Sequence, residues 1–293
     1  MNDLTPHQQG LLMTVVGVLV LTPDALLVRL VETDHWTLLF WRGVFSAIVF
    51  FSLTSFIVRK SPIKILGDLM KDGLFCALLF GASNICFVVS ITHTAAANTL
   101  VILASMPFIA AVLTVILMRR NLPLRTWAAI FLAMAGIVIV FWGRFGGGNI
   151  FGDVVGLFGA LFMAATLVSL SFNPKINALA AIGIGSIMAS VFSLFMGAAP
   201  VEATASDFFY IGLDGGIVIP VAFGLITYGP KLISAPEVSL IMLLETVLGP
   251  YWVWLVLSEV PPQQTFIGGA VVISAILANI WLGLRSDRAR APA

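Results

Sequence analysis

Ten long apolar stretches divide the chain, and this pattern most restricts how it can fold. Each has about 20 mostly apolar residues, the length that an α-helix needs to cross a bilayer. Apolar residues make up 60% of the 293 residues and charged residues only 10%, whereas soluble domains are about a quarter charged. The sequence therefore predicts an all-α polytopic membrane protein with ten transmembrane helices, near residues 10–31, 36–58, 73–91, 95–118, 123–143, 153–172, 178–198, 207–229, 235–257 and 264–284.

The basic residues predict how these helices are oriented. If the N-terminus is cytoplasmic and the spans alternate in direction, Arg144 is the only basic residue in the outer loops. Arg29 and Arg42 lie inside spans. Cytoplasmic loops are rich in Lys and Arg, so we expect a multi-pass protein of the inner (plasma) membrane with both termini in the cytoplasm. The net charge of +1 indicates no nucleic-acid partner. The cytoplasmic basic residues would be Arg59, Lys60, Lys64, Lys71, Arg119, Arg120, Arg125, Lys175, Lys231, Arg285, Arg288 and Arg290.

The second half of the chain resembles the first at an offset of 139 residues. Pro123 and Thr126 match Pro262 and Thr265 without a gap. Five spans per half would invert the second half, and the loops agree, since 59–72 is basic whereas 199–206 has no basic residue. We therefore predict two inverted five-helix repeats, 1–145 and 153–293, the second with a basic cytoplasmic tail, joined by a Gly-rich linker at 146–152. Inverted repeats are common in secondary transporters.

Short motifs in both halves are similar to those of a known transporter family. They are Phe40-Trp41-Arg42, Ala95-Ala-Ala-Asn98, Ser105-Met106-Pro107, Leu244-Glu245-Thr246-Val247, Leu257-Ser258-Glu259 and Gly268-Gly269. On these motifs the chain resembles the EamA-type members of the drug/metabolite transporter superfamily. The resemblance implies ten helices, cytoplasmic termini, a central cavity and transport without ATP. It implies a metabolite as cargo, because such transporters export amino acids and related compounds, or import cofactors, choline-like compounds or organic anions.

The candidate charged residues within the predicted spans are Asp24, Arg29, Arg42, Asp214 and Glu245. Each charge costs roughly 2.5–3.5 kcal/mol on insertion scales, so each needs a reason. Arg29 could extend to the outer surface, Arg42 could form a structural ion pair with Asp24, and Asp214 could cap a broken helix. Glu245 lies closest to the middle of the membrane, and we predict that it lines a cavity as a proton or cation site.

Neutral polar and aromatic residues complete the set of candidate ligands. Asn84 and Asn98 could contact a substrate, or could form hydrogen bonds between helices. Trp41 and Tyr210 could line a cage for a quaternary ammonium group, or could belong to the aromatic belts at the membrane interfaces.

Mixed charges in one cavity favour a small zwitterionic substrate, such as an amino acid. In this hypothesis an arginine holds the carboxylate, Glu245 or Asp214 faces the ammonium group, and transport is outward with proton coupling. The alternatives are an importer of a betaine-like, quaternary ammonium or organic-anion metabolite and, in another class, a channel or lipid scramblase.

Catalytic and metal-binding motifs are not expected. His7, His35 and His93 are scattered, and neither His-Glu-x-x-His nor Gly-x-Ser-x-Gly occurs. Cys76 and Cys86 lie about 15 Å apart along one predicted helix, too far for a disulfide. The sequence thus predicts no enzymatic activity, cofactor or metal site, and it does not indicate an oligomeric state.

Overall fold

The computed structural model describes residues 4–59, 61, 64, 65, 67, 69, 73–94, 96–142, 149–258 and 263–290. The predicted linker is described only from Asn149 onward, so the division into two repeats stays a prediction. Other residues used in the sequence predictions also lie outside the described part, namely Lys60, Lys71, Ala95, Arg144, Gly146–Gly148, Glu259 and Pro262.

Thirteen α-helices make up most of the described chain. They are α1 (Pro6–Leu21), α2 (Asp24–Arg29), α3 (His35–Val58), α4 (Leu74–His93), α5 (Ala96–Leu103), α6 (Met106–Met118), α7 (Leu124–Val140), α8 (Ile150–Phe172), α9 (Ala178–Phe195), α10 (Ala205–Leu213), α11 (Ile219–Ile226), α12 (Ala235–Leu257) and α13 (Gln263–Arg290). A π-helical turn, Asp214–Val218, joins α10 to α11, and 3₁₀ turns lie at Pro200–Glu202 and Gly229–Lys231.

Nine helical stretches within the described residues are long and apolar enough to cross a membrane. The remaining predicted span, the fifth at 123–143, corresponds to α7, whose 17 residues extend about 26 Å at 1.5 Å per residue, less than the roughly 30 Å of a hydrocarbon core. Large apolar side chains cover the outside of the bundle, and Phe56 and Leu124 are 84% and 83% exposed. Such a surface is compatible with lipid, and the protein is a multi-pass membrane protein.

Three of the predicted spans are not continuous α-helices. The first breaks at Thr22-Pro23, between α1 and α2, because proline cannot continue the hydrogen-bond ladder. The fourth breaks before Pro107, and the eighth widens into the π-helical turn that starts at Asp214. Breaks inside a bilayer are tolerated where the freed backbone groups find partners within the protein. All three interruptions adjoin the candidate site, since Leu21, Asp24, Leu103, Met106 and Ile219 line its cavity.

Small residues let the helices that surround the site pack backbone to backbone. Helix α9 packs against α3 and α4, and α4 also packs against α8. A Cβ atom on Gly81 of α4 would lie 2.9 Å from the carbonyl oxygen of Gly185 in α9. Helix α1 packs against α11 and α12. These contacts fix α3 and α12, which carry Arg42 and Glu245, and α2, which carries Asp24, packs against α12.

Candidate transport site

A cavity of about 190 Å³ lies within the bundle and is lined by residues of nine helices. This is smaller than the roughly 300–1,000 Å³ of pockets for drug-sized ligands, so its size suits a small metabolite. Four of the predicted site residues line it: Asp24, Arg42, Asn84 and Glu245.

Arg42 of α3 connects two carboxyl groups at one side of this cavity. Its Nη2 donates a hydrogen bond to Oδ1 of Asp24, the first residue of α2, and its Nε lies 3.0 Å from Oδ2 of Asp214. The side chain of Asp214 is only 4% exposed, and its Oδ1 accepts no hydrogen bond from the described residues. The ion pair between Arg42 and Asp24, one of the alternatives drawn from the sequence, is therefore present and is extended by Asp214.

The π-helical turn places Asp214 against α3. A Cβ atom on Gly215 would lie 2.7 Å from the carbonyl oxygen of Arg42, so glycine is required for this close approach. The hydroxyl of Ser46, one helical turn after Arg42, donates to the carbonyl of Gly215 at 2.8 Å. This satisfies a backbone group inside the bundle and fixes the turn beside Arg42.

Glu245 of α12 also faces the cavity. Its carboxyl group makes no hydrogen bond with the described residues, although it interacts electrostatically with Asp24 and Arg42. Asp24 and Asp214 are thus paired with the guanidinium of Arg42, and the carboxyl group of Glu245 lines the same cavity beside this cluster. If all three were ionised, the cluster would carry two uncompensated negative charges.

The rest of the lining is mostly apolar, and the sequence analysis did not predict it. Thioether side chains come from α6, α8 and α12, and aromatic rings come from α4 and α11; the residues are Met106, Met163, Met242, Phe80, Phe87 and Phe223. Among the polar lining residues, Asn84 donates from Nδ2 to the carbonyl of Phe80 at 3.0 Å, and Ser83 donates to the carbonyl of Gly159. Oδ1 of Asn84 accepts no hydrogen bond from the described residues and can contact a ligand.

Trp41 and Asn98, two of the predicted site residues, do not line this cavity. Nε1 of Trp41 donates to the carbonyl of Pro200 at 3.0 Å, and its ring packs against Phe208. Nδ2 of Asn98 donates to Thr94, whose hydroxyl donates to Asp153 of α8 at 2.7 Å. These are contacts between elements of the bundle.

Tyr210 and Arg29 are also absent from the cavity lining. The ring of Tyr210 packs against Phe209. Arg29 is exposed at the last residue of α2.

The comparisons with known proteins agree with this architecture. The EamA-like transporter family model matches residues 8–142. The crystal structure of another protein is similar, with a TM-score of 0.79 over 93% of this chain and 98% of that chain. At 14% identity it shows a shared fold alone. No curated protein matches the sequence. Over residues 8–142, this match confirms the resemblance of the chain to the EamA-like transporters of the drug/metabolite transporter superfamily.

Proposed function

We propose that the protein is a secondary transporter that moves a small metabolite with a positively charged amino group, an amino acid or a related compound, outward across the inner membrane. One observation carries this proposal: three carboxyl groups and a single guanidinium lie at or beside a cavity inside the bundle. A cluster with this excess of carboxyl groups favours cations, because uncompensated charge away from water is costly.

Protons and the substrate can supply the missing positive charge together. The carboxyl of Glu245 has no hydrogen-bond partner among the described residues and faces the cavity, so we assign it to the ammonium group. Asp24 and Asp214 are already paired with Arg42, so Glu245 is the carboxyl group left for a proton or for the substrate. Competition between a proton and a cationic substrate for one cluster is a simple basis for coupled exchange.

A zwitterionic substrate fits if one of the two arginine pairs opens. In the described arrangement Nη2 and Nε of Arg42 are directed at carboxylates. If Asp24 turned away from Nη2, that N–H would be available to the carboxylate of an amino acid. The thioether and aromatic groups of the lining would then contact the apolar part of the substrate.

A matched helix end supports the proposed inverted repeat. Helix α6 ends at Met118 and α12 ends at Leu257, an offset of 139 residues. The residues that follow, Arg119 and Ser258, both have a positive φ, of 51° and 57°. This agreement favours two related halves, and we propose alternating access between them, with both termini in the cytoplasm.

A second candidate is the import of a quaternary ammonium compound. The rings of Phe80, Phe87 and Phe223 line the cavity, and aromatic rings attract such cations. An organic anion is less compatible with the excess of carboxyl groups. Flux without exchange would indicate a channel, and movement of labelled lipid would indicate a scramblase.

Counterflow in liposomes tests the proposal. We would reconstitute the purified protein in liposomes and load them with an unlabelled amino acid. We would then measure the uptake of labelled neutral and aromatic amino acids, a betaine, choline and an organic anion. We expect saturable exchange of the amino acids and at least a roughly tenfold loss in Glu245→Gln, which removes a charge-assisted contact. Glu202→Gln makes the same change at an exposed position outside the cavity and should exchange normally. Normal exchange by Glu245→Gln would refute the assignment of Glu245.

A further inference from the structure

A second cavity, of about 430 Å³, lies at one end of the bundle and is distinct from the candidate transport site. It is bounded by the start of α1, the connection between α6 and α7, the end of α8 and the turn before α12. Its volume falls within the roughly 300–1,000 Å³ of small-molecule sites. In the sequence, the basic residues at this end indicate only the orientation of the helices in the membrane.

The charges on the wall of this cavity are mostly positive. Arg120, Arg125 and Lys231 line it, against the single carboxyl group of Glu237. That carboxyl is already engaged, since its Oε2 accepts hydrogen bonds from the backbone N–H and the hydroxyl of Ser234, at 3.1 and 2.8 Å. Its Oε1 lies 3.7 Å from Nε2 of His7. Glu237 is therefore not directed at the three cations.

Two buried hydrogen-bond donors of this wall have no acceptor among the described residues. Nη1 of Arg125 donates to the carbonyl of Leu282 at 2.9 Å, but its Nε is buried and has no partner among the described residues. The hydroxyl of Thr114 is likewise buried and unpaired with respect to the described residues. Nζ of Lys231 donates to the carbonyl of Ile176 at 3.1 Å, which uses one of its three protons. Buried donors of this kind are normally satisfied, so these donors leave room for an acceptor that the described residues do not supply.

We propose that this cavity is a binding site for a phosphate group, held by Arg120, Arg125 and Lys231. Phosphate offers several strong acceptors, and arginine binds it with paired, charge-assisted hydrogen bonds. The group could belong to a soluble phosphorylated compound or to an anionic phospholipid, because basic pockets between transmembrane helices also bind lipid headgroups. The site goes beyond the proposed transport function, since it neither includes nor contacts Glu245.

Thermal unfolding of the full-length protein in a non-ionic detergent tests the site, because a ligand that binds only the folded state raises the unfolding temperature. The seven tryptophans provide the fluorescence signal. One arm titrates inorganic phosphate against chloride at matched ionic strength. The other compares micelles that contain phosphatidylcholine alone with micelles that also contain phosphatidylglycerol. Saturable stabilisation by phosphate would identify a soluble ligand, and stabilisation only by phosphatidylglycerol would identify a headgroup.

Three variants decide whether the effect belongs to this cavity. Arg125→Gln should weaken the apparent affinity by roughly tenfold or more, which is the effect of losing one strong charge-assisted bond. Arg120→Gln should also weaken it, and this variant keeps the fold, because Arg120 is exposed and has no described partner. Arg59→Gln removes the same charge at an exposed position outside the cavity and should respond like the unchanged protein. The proposal is overturned if neither probe stabilises the protein, or if all three variants respond alike.

Discussion

Arg42 is the residue on which the charged cluster depends, because it is the partner of two carboxyl groups at once. Removing one member of a buried ion pair usually costs about 3–5 kcal/mol, since the other charge stays buried without compensation. We expect Arg42→Gln to lose about that much stability, measured as the fraction of folded protein in detergent after denaturant or heat.

Two further variants separate charge from geometry at this position. Arg42→Lys keeps the charge but replaces two separately placed donors with one ammonium group, so we expect an intermediate loss. Adding Asp214→Asn to Arg42→Gln should recover part of the stability, because it removes the carboxyl that was left without a partner. If Arg42→Gln were as stable as Arg59→Gln, Arg42 would not have the structural role assigned to it here.

Asp34 gives a pH-dependent contribution to stability outside the membrane spans. It precedes α3, and its Oδ1 accepts hydrogen bonds from the backbone N–H of Trp36 and Thr37, at 2.8 and 3.1 Å. Burial acts to raise the pKa of Asp34, but the hydrogen bonds from Thr37 and Trp36 outweigh it, so the pKa is lowered. The stabilisation is therefore present above the pKa of the unfolded chain and is lost as the pH falls through the lower pKa of the folded state.

We expect Asp34→Ala to cost about 1 kcal/mol at neutral pH, the usual effect of removing an N-cap. Asp34→Asn should retain most of the cap and abolish its pH dependence, because the amide oxygen still accepts the bonds but does not titrate. Unfolding temperatures measured between pH 3 and pH 7 would check this. Equal pH profiles for the unchanged protein and Asp34→Asn would contradict it.

The sequence identified the charged residues of the cavity because so few charges occur in apolar spans. Asp24, Arg42 and Glu245 stood out for that reason, and all three line the cavity. Met106 and Met163 could not be recognised, because a thioether has the same pattern in a cavity wall as in a packed core. Trp41 and Asn98 do not line this cavity, because polarity or aromaticity does not specify which face of a helix a residue occupies.

At the scale of the elements, the π-helical turn Asp214–Val218 joins the charged cluster to α10 and α11. Its two glycines differ in their surroundings. A Cβ atom on Gly215 would lie 2.7 Å from the carbonyl oxygen of Arg42 and 3.0 Å from its Cα, whereas one on Gly216 would meet no atom within 4 Å. The same substitution at adjacent positions therefore tests the contact between this turn and α3.

We expect Gly215→Ala to displace the turn from Arg42 and to lower stability by about 1–3 kcal/mol, the usual effect of overpacking. Exchange should also decrease, because Asp214 moves with the turn. Gly216→Ala should be neutral or slightly stabilising, since alanine is preferred to glycine in helical segments. Unfolding and counterflow of the two variants would be measured side by side. Equal behaviour would mean that the turn does not position Asp214.

The interruptions of the helices were predictable to different degrees. Pro23 marks the break between α1 and α2 directly, because proline removes a backbone donor. The turn at Asp214 is marked less directly: Pro220, two residues after it, interrupts the hydrogen-bond ladder, but a proline does not specify a π-helical turn. A tertiary contact, the hydrogen bond from Ser46 to the carbonyl of Gly215, also holds this turn. Such contacts join residues 169 positions apart and are not encoded in local sequence.

For the molecule as a whole, alternating access requires that helices on one side of the cavity part from helices on the other. The contact between α2 and α12 is suitable for a test, because these helices carry Asp24 and Glu245. A Cβ atom on Gly249 would lie 3.3 Å from Cβ of Ala25, close to the roughly 3.5–4.5 Å between the Cβ atoms of a disulfide. A cysteine at each position can therefore join the two helices covalently.

We predict that this disulfide stops exchange reversibly. The background would be Cys76→Ala with Cys86→Ala, since both native cysteines are free. Under oxidation, Ala25→Cys with Gly249→Cys should lose counterflow and regain it on reduction, because the joined helices can no longer separate. Either cysteine alone should leave oxidation without effect, which controls for the substitutions themselves. Continued exchange through a fully formed disulfide would show that α2 and α12 do not part during transport, and substrate would then have to reach Glu245 by a path that leaves this contact closed.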